Sequence, residues 1–222
     1  MGREVNRRKY ESPVRRHRAA ATRSAVLQAA RRLFTEQGYA HTSVHDIATE
    51  AGVSVDTLYT SVGRKPQLLL AVHDMLLAED DAPLAAEQRR YVQAIRAAST
   101  ARAKITTYAD ALARLMPKVV PLQEALRDAG ATDPACRDAY TSLSQRRAQN
   151  MSRFVEDLRQ TGDMRDDIDD TRATTLIWSM NSAEYFTLLR DQGLAPSAYG
   201  AFVRDVWIHA LLGCPQDDDQ EV

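Results

Sequence analysis

Apolar residues recur along this chain at three- and four-residue spacings, and no stretch alternates as a half-buried strand would. That period belongs to helices packed on one face, so the pattern predicts an all-α protein. Val26, Leu27, Ala30, Leu33 and Phe34 mark a first helix over about residues 20–37, closed by Gly38. Val44, Ile47, Ala48 and Ala51 mark a short second helix. Thr42 or Ser43 caps it, Asp46 stands three residues after Ser43 as in a capping box, and Gly52 ends it. Ser54 caps a third helix with Leu58 and Val62 inward, which leaves Thr57, Thr60 and Ser61 facing out. A fourth runs from Pro66 to about Glu79 on Leu68, Leu69, Val72, Met75 and Leu76.

The run Asp80-Asp81-Ala82-Pro83 is a break, and the pattern beyond it stays helical. Leu84, Tyr91, Val92 and Ile95 predict a fifth helix; Ile105, Tyr108, Leu112, Leu115, Met116 and Val119 predict a sixth. Pro117 and Pro121 should bend or end the sixth, with a short seventh over 121–129. Asp133-Pro134 is a cap followed by proline at the first helical position, and opens an eighth helix reaching about Thr161. Between Arg172 and Arg190 only Glu184 is charged, so a ninth helix there is apolar over more than one face and buried on several sides. Within it Asn181 is a polar amide that needs a partner, either a ligand or a facing subunit. The tenth, Pro196 to Leu212, carries Tyr199, Phe202, Val203, Val206, Trp207, Ala210 and Leu211 on one stripe.

Composition adds a division of charge. Residues 1–65 hold 12 Lys and Arg against 6 Asp and Glu, and residues 66–222 hold 17 against 24. A basic end that meets a polyanion and an acidic remainder that does not would give this asymmetry. Residues 1–18, with seven basic side chains, read as a disordered arm able to follow phosphates or enter a minor groove. Residues 214–222 read as an acidic tail. The 222 residues suffice for one large domain or two modest ones with a real core. Cys136 and Cys214 have no metal or redox spacing and read as idle thiols in a reducing compartment. No apolar run approaches a membrane span and the basic N-terminus lacks an apolar core, so the expected location is cytoplasmic.

The stretch from Ala29-Ala30 and Leu33-Phe34, through Gly38-Tyr39, Thr42-Ser43-Val44, Asp46-Ile47-Ala48 and Ala51-Gly52-Val53-Ser54, to Thr57-Leu58-Tyr59 and Lys65 resembles the DNA-binding half of the TetR family of bacterial repressors. Two places depart from the family pattern: Thr60-Ser61-Val62 stands where aromatic or histidine residues are usual, and Arg64 stands where a small capping residue is usual. Pro66 disfavours helix at Lys65, so the fourth helix is expected to start after it. The resemblance implies an N-terminal helix-turn-helix domain, 19–65, and a C-terminal helical ligand-binding and dimerisation domain, 66–213. It also implies a homodimer whose last two long helices form a four-helix bundle, a double-stranded DNA operator and a small-molecule effector.

The candidate residues divide by role. Tyr59, Lys65 and the hydroxyl of Thr42 or Ser43 are placed for phosphates, Tyr59 and Lys65 being the contacts the resemblance implies. Ser54 caps the recognition helix, and Val55, Asp56, Thr57, Thr60 and Ser61 are placed for base edges. Asp56 serves equally well as a charge at a helix start. The expected ligand pocket, which the resemblance supplies, is lined by Tyr91, Tyr108, Leu112, Met116, Met151, Phe154, Trp178, Asn181 and Tyr185. The expected dimer interface is Leu176, Met180, Tyr199, Phe202, Val206 and Trp207. Glu184, Arg146 and Arg147 suit either a charged ligand or ion pairs. The scattered histidines, with no phosphate loop and no nucleophile elbow, give no catalytic, metal or cofactor site. The expected function is a ligand-released repressor. A helical binding protein or enzyme with an incidental hairpin, and a ligand-blind DNA binder or activator, remain alternatives.

Overall fold

A computed structural model describes residues 13–212, and its named elements are ten α-helices and one 3-10 turn. The helices are α1 (Pro13–His41), α2 (Val44–Glu50), α3 (Val55–Ser61), α4 (Lys65–Ala78), α5 (Arg90–Ala97), α6 (Ala101–Ala129), α7 (Pro134–Arg159), α8 (Asp170–Met180), α9 (Ala183–Asp191) and α10 (Pro196–Leu211). Among the described residues the sole β-type pairing is an isolated bridge between Met164 and Leu212. The expected acidic tail and Cys214 lie outside the described residues, as does most of the basic arm. Residues 13–18 of that arm form the opening turns of α1, which therefore starts earlier than the apolar pattern alone suggests.

Helices α1–α4 close over Val26, Leu27, Ala30, Phe34, Ile47, Leu58, Leu68, Leu69, Val72 and Met75, all nearly or fully buried. Gly38 takes φ 78° and turns the end of α1. Ser43 caps α2 by accepting from the Asp46 N–H at 3.1 Å, and the Asp46 carboxylate accepts from the Ser43 N–H at 2.8 Å, the reciprocal box that the sequence predicts. Past α2, Gly52 adopts φ 66°, and the Val53 N–H reaches back to the Ala48 carbonyl at 3.0 Å. That six-to-one bond fixes the angle between α2 and α3. Helix α4 ends on Glu79, the one described non-glycine residue with positive φ. Arg114 and Lys118 of α6 hold its carboxylate at 2.9 and 3.2 Å, tying the end of α4 to the body.

The body is built around α6, which packs against α10, α7, α5, α4, α1 and α9. Gly200 of α10 sits so close to α6 that an added Cβ would stand 2.8 Å from the Ala113 Cβ and 2.9 Å from the Ala109 carbonyl oxygen. Buried Lys104 donates to the carbonyls of Ile95 and Arg96 at the end of α5 and pairs with Asp157 of α7 at 3.1 Å. The cation there satisfies terminal carbonyls and favours the helix dipole.

Three further expectations about helix boundaries change. Helix α6 runs unbroken through Pro117 and Pro121, so the sixth and seventh predicted helices are one. Both prolines are exposed, so they stand on the solvent side of α6, where a lost backbone bond is least costly. The predicted ninth helix is two, because Asn181 and Ser182 leave the helix and Ser182 caps α9 by accepting from the Tyr185 N–H at 3.0 Å. Lys65 is the first residue of α4, with Arg64 as its cap and Pro66 inside the first turn, so the helix begins one residue before the proline.

Candidate DNA-reading face and ligand cavity

Helix α3 is anchored from beneath by Leu58, which is fully buried, while Asp56, Tyr59 and Thr60 are exposed and Val55, Thr57 and Ser61 are half-buried. Ser54 caps the helix, accepting from the Thr57 N–H at 3.1 Å, and its hydroxyl lies 2.8 Å from that of Thr57. Thr60 and Ser61 turn their hydroxyls back onto carbonyls of their own helix, those of Asp56 and Thr57 for Thr60 and that of Leu58 for Ser61. Arg23 of α1 donates to the Ser61 carbonyl at 2.6 Å and holds the end of α3. The Tyr59 ring stands 46% exposed on a surface otherwise polar.

Two of the expected phosphate contacts differ in placement. Thr42 is 1% exposed, and its hydroxyl donates to the carbonyls of Gly38 at 2.8 Å and Leu33 at 3.2 Å. It closes α1 and is not presented to a duplex; Ser43 is exposed. The Lys65 ammonium lies 4.1 Å from the centroid of the Tyr39 ring, a cation–π contact. Partial burial lowers its pKa from the ordinary lysine value. Tyr39 also approaches the Cys136 sulfur with its hydroxyl, at 3.3 Å, so the start of α4 and the start of α7 meet on one ring.

A cavity of about 500 Å³ lies between α4, the segment 83–97, α6 and α7, in the range of small-molecule sites. Of the expected liners, Tyr91, Tyr108, Leu112, Met116, Met151, Phe154 and Asn181 surround it; Trp178 and Tyr185 do not. The Tyr91 and Tyr108 rings stack with centroids 6.2 Å apart, and Phe154 meets Tyr108 edge-on at 5.0 Å. Asn181 finds its partners inside the chain. Its amide nitrogen donates to the Tyr108 hydroxyl at 2.7 Å, and its oxygen accepts from Arg147 at 2.9 Å. Burial pushes the Tyr108 phenol well above its ordinary value, so it stays neutral. Arg147 also donates to the Trp178 carbonyl and stacks on that indole, 4.8 Å from its centroid. Trp178 therefore backs the cavity's arginine from outside the cavity.

Of the cavity's polar end, the sequence singled out only Arg146. His73 and Asp74 of α4, Arg89, Gln123 of α6 and Arg146 of α7 line it together. Asp74 accepts from Arg146 at 3.0 Å and from Arg89 at 3.3 Å. Burial alone would raise its pKa, but His73 and Arg146 overcome that and hold it below the ordinary carboxylate value. The His73 Nε2 lies 2.9 Å from the Gln123 amide nitrogen. That amide can only donate, which assigns the imidazole proton to Nδ1. A signal existed in the sequence: His73 follows Leu69 by four, and Arg147 stands midway between Leu143 and Met151, charged or polar groups on stripes that packing fills with apolar ones.

The expected dimer interface divides. Met180, Tyr199 and Trp207 are 5%, 1% and 0% exposed and belong to this chain's own core, so they are unavailable to a second subunit. Tyr199 donates to the Met180 carbonyl at 2.8 Å. Phe202 is exposed, and Leu176 and Val206 are partly so. Among the described residues no three His, Cys, Asp or Glu side chains are grouped to hold a metal, and no helix is long and apolar enough to cross a membrane.

Residues 26–72, which hold the capped α2, the glycine turn, α3 and most of α4, match the family described as bacterial regulatory proteins, tetR family. The N-terminal segment is a TetR-family one. No curated protein matches it at a significant level. Solved structures share the TetR fold over nearly the whole chain. One is a transcriptional regulator from Saccharomonospora viridis in complex with choline, 19% identical, covering 88% of this chain and 100% of its own, with a TM-score of 0.66. A second is the SmeT–triclosan complex, 17% identical, covering 91% and 99%, with a TM-score of 0.64. A third is the regulator FadR from Bacillus subtilis in complex with stearoyl-CoA, 19% identical, covering 83% and 96%, with a TM-score of 0.59. At these identities the likeness is one of fold, and the three ligands share no common chemistry.

Proposed function

We propose that this TetR-family protein is a homodimeric repressor that binds a palindromic DNA operator and is released by a small molecule held in the body. The observation that carries the reading is α3, a short polar helix standing on buried Leu58 with Asp56, Tyr59 and Thr60 turned outward. Such a rod fits the major groove, and two copies would reach successive grooves about 34–36 Å apart. Val55, Asp56, Thr57, Thr60 and Ser61 are assigned to base edges. Tyr59, Ser43 and Lys65 are assigned to phosphates, Lys65 after it leaves the Tyr39 ring. The two subunits join through the outward positions of the last helices, Leu176, Phe202 and Val206. Residues up to 65 form the DNA-binding head, and the rest form the effector and dimerisation body.

The cavity supports release by a ligand because His73, Asp74 and Leu77 of α4 line it, while the first residue of the same helix is Lys65 at the edge of the head. A ligand that binds the released arrangement far more tightly than the DNA-competent one shifts the population accordingly. The choline, triclosan and stearoyl-CoA complexes of the same fold support a ligand-bearing body.

The test is a gel shift against DNA flanking the protein's own gene over a salt series. The expected outcome is a specific, salt-sensitive complex that Tyr59→Phe weakens about five- to tenfold on all sequences alike, the equivalent of one hydrogen bond. Indifference to every fragment at low salt would overturn the proposal.

A further inference from the structure

The cavity has a surplus of donors at one end. Arg146 gives Nη1 to Asp74, but its Nε and Nη2 are buried without an acceptor, and so is Nδ1 of His73. Nδ1 carries the imidazole proton and lies 3.5 Å from Asp74 Oδ1, too far for a good hydrogen bond. Arg89 draws on the same carboxylate, so Asp74 faces two guanidinium groups and a histidine N–H. Deeper in, Arg147 rests on two neutral acceptors, the Trp178 carbonyl and the Asn181 amide oxygen. Buried donors left unmade are costly, and a charge resting on neutral acceptors keeps its attraction for an anion.

We propose that the cavity takes an amphipathic carboxylate, its head group accepting from Arg146 and His73 and its apolar body lying along Tyr91, Tyr108, Leu112 and Phe154. This rests on the reading that the cavity is the effector site. A carboxylate is acceptor-only, which answers a donor surplus, and a guanidinium fork meets it in a bidentate geometry. An alcohol brings one weak acceptor and a proton that needs a home of its own. A quaternary ammonium offers nothing to the unmade donors and is repelled by Arg89, Arg146 and Arg147. The stacked pair of Tyr91 and Tyr108 with Phe154 across its edge makes a flat apolar slot, so the body is aryl or alkyl rather than sugar-like.

The test uses the full-length protein and three probes that differ only in the head group: 4-phenylbutyrate, 4-phenylbutan-1-ol and 4-phenylbutyl-trimethylammonium, titrated calorimetrically at pH 7.5. The carboxylate should bind at least tenfold tighter than the alcohol, with the ammonium weakest. Arg146→Gln should close the gap between carboxylate and alcohol while leaving the alcohol's Kd within about twofold, which also reports an intact cavity. Arg146→Lys, which keeps the charge without the fork, should retain only part of the gap. An ammonium that binds as tightly as the carboxylate, a gap unchanged by both variants, or no binding of any probe at millimolar concentration would overturn the proposal. DNA binding is read separately by gel shift. A carboxylate that binds but leaves the operator complex intact supports the cavity assignment and removes the release mechanism, whereas a protein that never shifts DNA fails as a repressor whatever its cavity holds.

Discussion

Thr42 keeps its hydroxyl inside the fold, where it accounts for two carbonyls at the end of α1. Thr42→Val should therefore lower stability by about 1–3 kcal/mol, the cost of buried polar groups left unpaired. The salt slope of DNA binding should not move, and a denaturant titration beside a gel-shift salt series reads both quantities. Its neighbour Ser43 is exposed and capping, and the pattern Thr-Ser before an apolar helix could not say which of the two faced inward. His73 gives a pH dependence. Burial holds its imidazole below the ordinary 6.5, against the pull of Asp74 and with the push of Arg146 and Arg89. Below pH 6.5 the unfolded chain takes up a proton that the folded chain refuses, so the folded state loses stability as pH falls. The loss grows as pH falls further below 6.5. Above 6.5 the residue contributes no slope. Thermal melts between pH 7.5 and 5.5 should show the decline in the parent protein and a flatter line in His73→Gln.

At the scale of elements, the head was legible because its signals are local. Cap, turn glycine and inward leucine each sit within a few residues of what they fix, and Ser43, Gly52, Ser54 and Leu58 all act where the sequence places them. The body was less legible because its outcomes depend on distant partners. Pro117 and Pro121 read as breaks, yet α6 carries them on its wet side because the rest of its circumference is held by its neighbours. The uncharged run from 173 to 183 reads as one buried helix. Asn181 leaves it because Tyr108 and Arg147, far away in sequence, satisfy its amide. Contact between α10 and α6 was invisible for the same reason. Gly200 is helical and needs no positive φ; only the approach of α6 explains it. Gly200→Ala would put a methyl 2.8 Å from Ala113 and 2.9 Å from a backbone oxygen. The helices must part, so the variant should lose about 1–3 kcal/mol in a denaturant melt despite alanine's better helix propensity.

At the scale of the whole molecule, the proposed dimer sets which apolar residues can meet a second copy. Trp207 and Tyr199 fill the interior between α10 and its neighbours, whereas Phe202 on the same helix points away from it at 43% exposure. Phe202→Asp should convert the dimer to monomer in sedimentation analysis with the helical circular dichroism unchanged, and should abolish operator binding, since each half-site alone is too weak. A dimer that survives the change would move the interface elsewhere.

The apolar interior of the head does not stop at residue 65. Leu122 and Leu126 from the far end of α6, with Cys136 and Ala139 from the start of α7, belong to the same cluster as Phe34, Ile47 and Leu58. The chain thus crosses into its second half and returns to finish the first. If the proposed reading holds, a head exchanged between relatives by a single splice at that junction should fail to pack, and a working hybrid should need the α6–α7 corner, more than fifty residues downstream, imported together with α2 and α3.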